Sequence, residues 1–261
     1  MDNKVLLLTA CVTPGGMAYT ALQDPKEREK QYLNALRWYL ANTEFPIVLC
    51  ENTNYKLPDE FQPYIDKERL EYLTFDGNNS FDKSKGKGLG EALIIKYAIE
   101  NSHLISKTNV IMKMTGRQIL INIGFVAGHC SGKDCVYANM AKENHGIMEA
   151  HSQFYICPKS FYTNCFFSGI NKLNDSRFYY FEHLLYDSMK EWKNNKKGKI
   201  SEFWMPLKIK GVSGSSNTPL EIRSFAWLRS LARFILHKMG VYRQFANGIF
   251  TDEQIKEFRF G

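Results

Sequence analysis

Val5-Leu6-Leu7-Leu8-Thr9-Ala10 is apolar at every position but one, and this run decides the fold. A strand with one wet face alternates apolar and polar residues. An unbroken apolar run is covered on both faces, as in a sheet with helices on either side. The run gives way to Pro14-Gly15-Gly16, a loop signal. Asp24-Pro25-Lys26-Glu27 reads as a helix start: Asp24 caps, Pro25 suits the first helical position, and Glu27 stands three residues after the cap. Tyr32, Leu33, Leu36, Tyr39 and Leu40 recur at helical spacing, which predicts a helix ending near Asn42. Pro46 to Cys50 is a second covered strand and ends in Glu51-Asn52-Thr53-Asn54. Leu70 to Phe75 is a third, weaker strand. A helix follows from about Glu91 to Glu100, then a fourth strand, Asn109 to Met114, that ends at Thr115-Gly116-Arg117.

Covered strands alternating with helices predict an α/β fold with a mostly parallel sheet flanked by helices. Ligands of such sheets bind outside the carboxyl ends of the strands, so the polar clusters there are where chemistry is sought. The second half is less regular. Cys135 to Met140 and Ser152 to Cys157 are strand candidates, Arg177 to Trp192 a helix with aromatic faces, and Lys193 to Lys199 a solvated basic loop. Gly211 to Ser216 reads as a flexible loop and Leu220 to Met239 as an amphipathic helix. The expected division is a main domain over 1–218 and a C-terminal amphipathic helical segment over 219–261, packed on the domain or facing a membrane.

The 261 residues suffice for one large domain with a sizeable core, and 44% hydrophobic with 23% charged is ordinary globular composition. A formal charge of +7 points to an anionic partner: nucleic acid, a phospholipid surface or a phosphorylated ligand. The charge is spread along the chain and does not choose among them. No helix-turn-helix, RNP or zinc-finger pattern is present, which argues against nucleic acid. The six cysteines form no C-x-x-C pair and are read as reduced thiols of a cytoplasmic protein. The apolar run at the N-terminus is too short for a signal peptide, and no stretch of about 18 apolar residues occurs. Ile222 to Lys238 sets Phe225, Trp227, Leu228, Leu231, Phe234 and Ile235 against Arg223, Arg229, Arg233, His237 and Lys238. That pattern suits an interfacial helix on anionic lipid or a helix packed on the domain.

Lys85-Gly86-Lys87-Gly88-Leu89-Gly90, ahead of a helix, brings backbone amides and two cations to a place that favours anions. It is neither a Walker A loop nor a dinucleotide fingerprint. The order of elements resembles the GT-A glycosyltransferases, particularly small bacterial enzymes of surface-polysaccharide (capsule or O-antigen) assembly. The resemblance covers about residues 4 to 122 and more loosely to about 190. It rests on Thr9-Ala10-Cys11-Val12, then Glu51-Asn52, then Gly86-Lys87-Gly88, then Thr115-Gly116-Arg117 where that family carries Asp-x-Asp.

The resemblance implies a Rossmann-like GT-A sheet and a nucleotide-sugar donor held by Thr9, Ala10, Glu51, Asn52, Lys87, Gly88, Thr115, Gly116 and Arg117. It also implies a saccharide or lipid-linked acceptor. Two carboxylates at 115–117 would hold Mg²⁺ or Mn²⁺, but a Thr and an Arg do not. Arg117, with Lys113 or Lys87, is instead expected to neutralise the diphosphate directly, so neither a metal site nor a cofactor is predicted. Structurally read, Arg117 is a salt-bridged surface residue and Glu51 a capping or solvated one.

Inverting transfer needs a general base near the acceptor hydroxyl. Within Phe178 to Asp187, Glu182 is the first candidate and Asp187 the second, since a carboxylate among aromatics is desolvated; His183 is read as structural. The expected setting is cytoplasmic, with peripheral attachment to the inner face of the membrane as an option. The competing readings are a nucleotidyltransferase or other nucleotide-binding α/β enzyme, and a non-catalytic basic membrane-surface or interaction module.

Overall fold

The computed structural model describes residues 4–142, 148–195 and 198–212, with Ala232 and Ile235 as isolated positions beyond them. The boundary expected at 218/219, the segment 219–261 and its amphipathic pattern lie outside the described residues, apart from those two positions.

Seven strands form one sheet: β1 (Lys4–Ala10), β2 (Ile47–Glu51), β3 (Leu70–Thr74), β4 (Val110–Thr115), β5 (Cys135–Tyr137), β6 (Phe154–Pro158) and β7 (Lys199–Ser201). Their order is β7-β5-β6-β4-β1-β2-β3. β1 runs parallel to both β2 and β4, β2 to β3, and β7 to β5, while β6 runs antiparallel to β4 and β5. Four helices matter for the site: α1 (Pro25–Asn42), α2 (Lys87–Asn101), α3 (Ile123–His129) and α4 (Phe181–Asn194). The sheet is mostly parallel and flanked by helices.

The unbroken run of β1 has its expected cause. Val5 and Leu7 point into a core shared with α2 and α4, and Leu6, Leu8 and Ala10 into a second core shared with α1 and α3. Every residue of β1 is buried. A buried leucine of this kind contributes about 2–5 kcal/mol relative to alanine.

Helix α1 spans Pro25 to Asn42, with the Asp24 side chain accepting from the Lys26 amide. Glu27 does not return to the cap but accepts from Gln31 Nε2, one turn ahead. Other boundaries differ from the sequence reading. α2 begins at Lys87 rather than Glu91, because Gly86 (φ +91°) turns the chain directly into the helix; Gly88 and Gly90 are therefore helical. α4 begins at Phe181 rather than Arg177, since a tight turn over Asp175–Arg177 and left-handed Phe178 precede it. The stretch 135–140 divides into β5 and the start of a separate two-stranded ribbon, Met140–Lys142 with Met148–Ala150.

All six cysteines are free. Among the described residues, no helix is long and apolar enough to cross a membrane.

Candidate active site

A cavity of about 660 Å³ opens at the carboxyl ends of β1, β2 and β4. Thr9, Ala10, Cys11, Asn52, Thr115, Arg117 and Gln118 form its floor. Arg28 and Tyr32 of α1 form one wall, the starts of α2 and α4 the other, and Glu149, His151 and Gln153 the rim.

Of the nine residues expected to hold a donor, seven line this cavity: Thr9, Ala10, Asn52, Lys87, Gly88, Thr115 and Arg117. Glu51 and Gly116 do not. The Glu51 carboxylate is buried and accepts from the amides of Val12, Thr53 and Tyr55 and the hydroxyls of Thr53 and Thr74. Those five bonds tie the ends of β1, β2 and β3 together. Gly116 donates its amide to the Thr9 carbonyl at 2.9 Å, and a Cβ there would stand 2.6 Å from that oxygen, so the position is set by backbone packing.

The cationic side is built by two arginines. Arg28 and Arg117 are each only 6% exposed, yet both line the cavity. Arg28 donates to the Cys11 and Leu22 carbonyls and to the Tyr32 hydroxyl, and Arg117 to Gln31 Oε1 at 3.3 Å. Burial pulls the Arg117 guanidinium below its ordinary value, and Tyr32 offsets part of this while Arg28 adds to it. Burial also pushes Tyr32 up and raises Cys11 to about 11, so that thiol is not a ready nucleophile. Lys87, at the opposite wall, is likewise lowered by burial, against the pull of Glu182, Glu91 and Asp175.

Lys113 is not a diphosphate ligand. It lies fully buried beneath the floor, between the rings of Tyr155 and Phe181. Its ammonium donates to Glu91 Oε1 and, at 2.7 Å, to the Ser152 carbonyl. Glu91 also accepts from the Thr9 hydroxyl at 3.0 Å. The Ser152 hydroxyl in turn donates to Glu182 Oε1 at 2.5 Å. The ion pair under the floor therefore fixes the residue that orients Glu182.

Glu182 lines the cavity, whereas Asp187 does not: it is exposed and accepts from the Tyr179 hydroxyl at 2.6 Å. His183 is buried, and its Nδ1 accepts the Tyr180 amide, bracing the start of α4.

Two contributors escaped the sequence reading. Arg28 sits four residues before Tyr32 on the buried stripe of α1, and a cation in that stripe was the available signal. Asp175, only 3% exposed, comes from the turn before α4 and accepts the Gly88 amide at 3.3 Å. It occupies the amino end of α2, the place expected to take phosphate. Burial pushes its carboxyl up, opposed by the Gly88 amide and Lys87. Four buried polar side-chain atoms lack a partner among the described residues, and three of them belong to cavity residues: Asn52 Oδ1, Gln118 Oε1 and Asp175 Oδ1. Among the described residues no group of three or more His, Cys, Asp or Glu is placed to hold a metal ion.

No family model and no curated protein matches the sequence. Solved structures similar to it include the inositol-1-phosphate CTP transferase from T. maritima, with 9% identity over 95% of this chain and 98% of that one and a TM-score of 0.44. The apo-form glycosyltransferase GlyE of Streptococcus pneumoniae TIGR4 has 11% identity, coverages of 95% and 64%, and a TM-score of 0.42. The mannosyltransferase Ktr4p from S. cerevisiae has 9% identity, coverages of 80% and 70%, and a TM-score of 0.41. At these scores the functional reading rests on the geometry of the cavity.

Proposed function

We propose that the cavity binds a nucleotide-sugar donor and that the chain is a glycosyltransferase, inverting and metal-independent. The observation that carries this is the pair of buried arginines, Arg28 and Arg117, facing Lys87 and Glu182 across one cavity at the carboxyl ends of the central strands. Buried guanidinium groups serve a diphosphate by charge-assisted, bidentate hydrogen bonds that strengthen where water is excluded. Glu182 takes the proton of an acceptor hydroxyl as its oxygen attacks the anomeric carbon. The bond from that carbon to the phosphate oxygen breaks, and the electron pair leaves with the nucleoside diphosphate, whose growing charge the cations stabilise. A saccharide or lipid-linked acceptor of surface-polysaccharide assembly is the acceptor class brought by the sequence resemblance.

The test is a thermal-shift screen against UDP, GDP, CMP and CDP, with Mn²⁺ and with chelator, since a ligand of the native state alone raises Tm. The expected result is a shift with one nucleotide that chelator leaves intact. Arg117→Ala should weaken that nucleotide roughly 10- to 100-fold with an unchanged circular dichroism spectrum, the loss of one or two hydrogen bonds to a charged group. Glu182→Gln should abolish transfer while donor affinity stays. A shift seen only with Mn²⁺ overturns metal independence. Release of pyrophosphate from a nucleoside triphosphate and a sugar phosphate identifies nucleotidyl transfer instead, and absence of any shift overturns the donor reading.

A further inference from the structure

The turn before α4 ends on a residue that its backbone does not favour. Phe178 closes that turn with φ +60°, a left-handed conformation that glycine or asparagine takes at little cost and a bulky side chain does not. Packing does not offset this cost. Phe178 is 73% exposed, more than any other large hydrophobic residue among those described. The conformation is held locally: the Phe178 amide donates to the Asp175 carbonyl, and two backbone bonds join Asn174 and Tyr179. Tyr19, on the loop after β1, repeats the pattern with φ +57° and 53% exposure, and it lines the cavity. Both loops rest on one stretch of chain. The Ala18 amide donates to the Lys83 carbonyl, and the turn that carries Phe178 seats Asp175 against Gly86. The Phe178 ring stands edge-on to that of Tyr180, with centroids 6.5 Å apart and planes at 87°, and Tyr180 lines the cavity with Glu182. Strain of this kind collects at ligand-binding sites.

We propose that Phe178 and Tyr180, with Tyr19, form a platform on which a pyranose ring of the acceptor stacks, so that the acceptor is recognised by its sugar. This assignment rests on the glycosyltransferase reading above. A pyranose has an apolar face of C–H groups and a polar rim of hydroxyls. The face lies on aromatic rings, which supply rigid contact area at low cost in side-chain freedom. The rim needs hydrogen-bonding neighbours. The Ser152–Glu182 bond brings Glu149, His151 and Gln153 beside the start of α4, and all three line the cavity with Tyr180. An acyl chain is the poorer occupant, because it needs an unbroken apolar groove and here carboxylate, imidazole and amide groups interrupt the rings. Glu182 follows Tyr180 by two residues, so a sugar on that ring lies in the same cavity as the proposed base.

Phe178→Gly removes the ring and the strain together, which separates a binding role from a structural one. Glycine is the residue that the left-handed turn favours, so Tm should equal or exceed that of wild type. Binding is followed by proton NMR with the methyl glycosides of glucose, galactose, mannose and N-acetylglucosamine, with and without the nucleotide that shifts wild-type Tm. Decyl phosphate is the acyl-chain probe. Wild type should move the ring protons of at least one glycoside upfield, since protons above an aromatic face are shielded. Phe178→Gly should bind that glycoside roughly 3- to 10-fold more weakly, the worth of one aromatic contact, with a smaller upfield shift and unchanged affinity for the nucleotide. Phe178→Tyr should retain the shift. A Phe178→Gly protein that binds the glycoside as wild type does, or that loses glycoside and nucleotide equally, would overturn the platform. So would binding of decyl phosphate in place of every glycoside. Nucleotide binding without any glycoside binding sinks the platform and leaves the donor reading standing. Glycoside binding without any nucleotide binding sinks the donor reading, and the acceptor role with it.

Discussion

Under the cavity floor, Glu91→Leu should destabilise the protein more than Lys113→Met, although each removes half of the same ion pair. Lys113 is wholly buried, and its side chain has 0% exposure against 23% for Glu91. Methionine in place of Lys113 keeps the stem but no donor. It strands the Ser152 carbonyl, which costs about 1–3 kcal/mol for a buried acceptor. The Glu91 carboxylate keeps the Thr9 hydroxyl and meets water through the cavity, so its share is smaller, about 1 kcal/mol. Net of the relief of no longer burying an ammonium, Lys113→Met should cost about 2–3 kcal/mol. Glu91→Leu leaves that ammonium fully buried without its counter-charge, in the range of about 3–5 kcal/mol. The double variant removes both charges and should be more stable than Glu91→Leu alone. At about 2–4 °C per kcal/mol for a chain near this size, the single variants should lose roughly 4–12 °C and 6–20 °C in Tm. Urea and thermal unfolding of the four proteins measure the cycle. A Lys113→Met variant less stable than Glu91→Leu, or a double variant whose loss equals the sum of the singles, would refute the reasoning.

Gly86→Ala should lower Tm by more than Gly16→Ala. Both glycines have positive φ, but only at Gly86 would the new Cβ meet a neighbour, Asp175 Oδ2 at 2.2 Å, whereas nothing lies within 4 Å of Gly16. Left-handed strain alone costs about 1–3 kcal/mol, so equal losses would show that Asp175 does not press on the loop. Stability should also fall in acid through Glu71. Burial pushes its carboxyl up, but hydrogen bonds from the Ser102 hydroxyl, the Leu104 and His103 amides and the His103 side chain outweigh it, and the net value is lowered. A lowered folded value makes the contribution complete above the unfolded carboxylate value of about 4.3 and lost as pH falls through the folded one. The urea midpoint of Glu71→Gln should therefore decline less below about pH 4.3 than that of wild type; parallel curves would contradict this.

The four strands and two long helices of the first 120 residues were legible because each carries a local signature: a continuous apolar run, a capped start, a glycine before a helix. The short helical segments Asp59–Phe61, Gln62–Asp66 and His103–Ser106 are too short to carry an apolar period and were not. Strand direction was not. Phe154 to Pro158 is buried at every position like β1, and an apolar run reads the same whether it pairs parallel or, as here with β4, antiparallel. The floor of the cavity was legible from the strand ends, since topology places them there. The walls were not. Asp175 reaches Gly88 across 87 residues of sequence, and nothing local in Asn174-Asp175-Ser176 marks that contact. Glu182 and Asp187 looked alike in sequence, but five positions along a helix turn the second about 140° away from the first, so one cavity takes only one of them.

On the proposed reading, Asp175 bears on which way round a donor lies. The Lys/Gly string looked like a phosphate cradle, and its glycines are indeed small so that an anion can approach. The anion they admit is a side chain of the same protein, and two negative groups cannot share the Gly88 amide. On the proposed reading, phosphates go instead across the cavity to Arg28 and Arg117, on the side of α1 and β4. The diphosphate then lies against the arginines and the sugar toward Lys87 and Glu182. The anomeric carbon then falls between the cations that receive the leaving charge and the carboxylate of Glu182, which Ser152 and the buried Lys113–Glu91 pair hold in place.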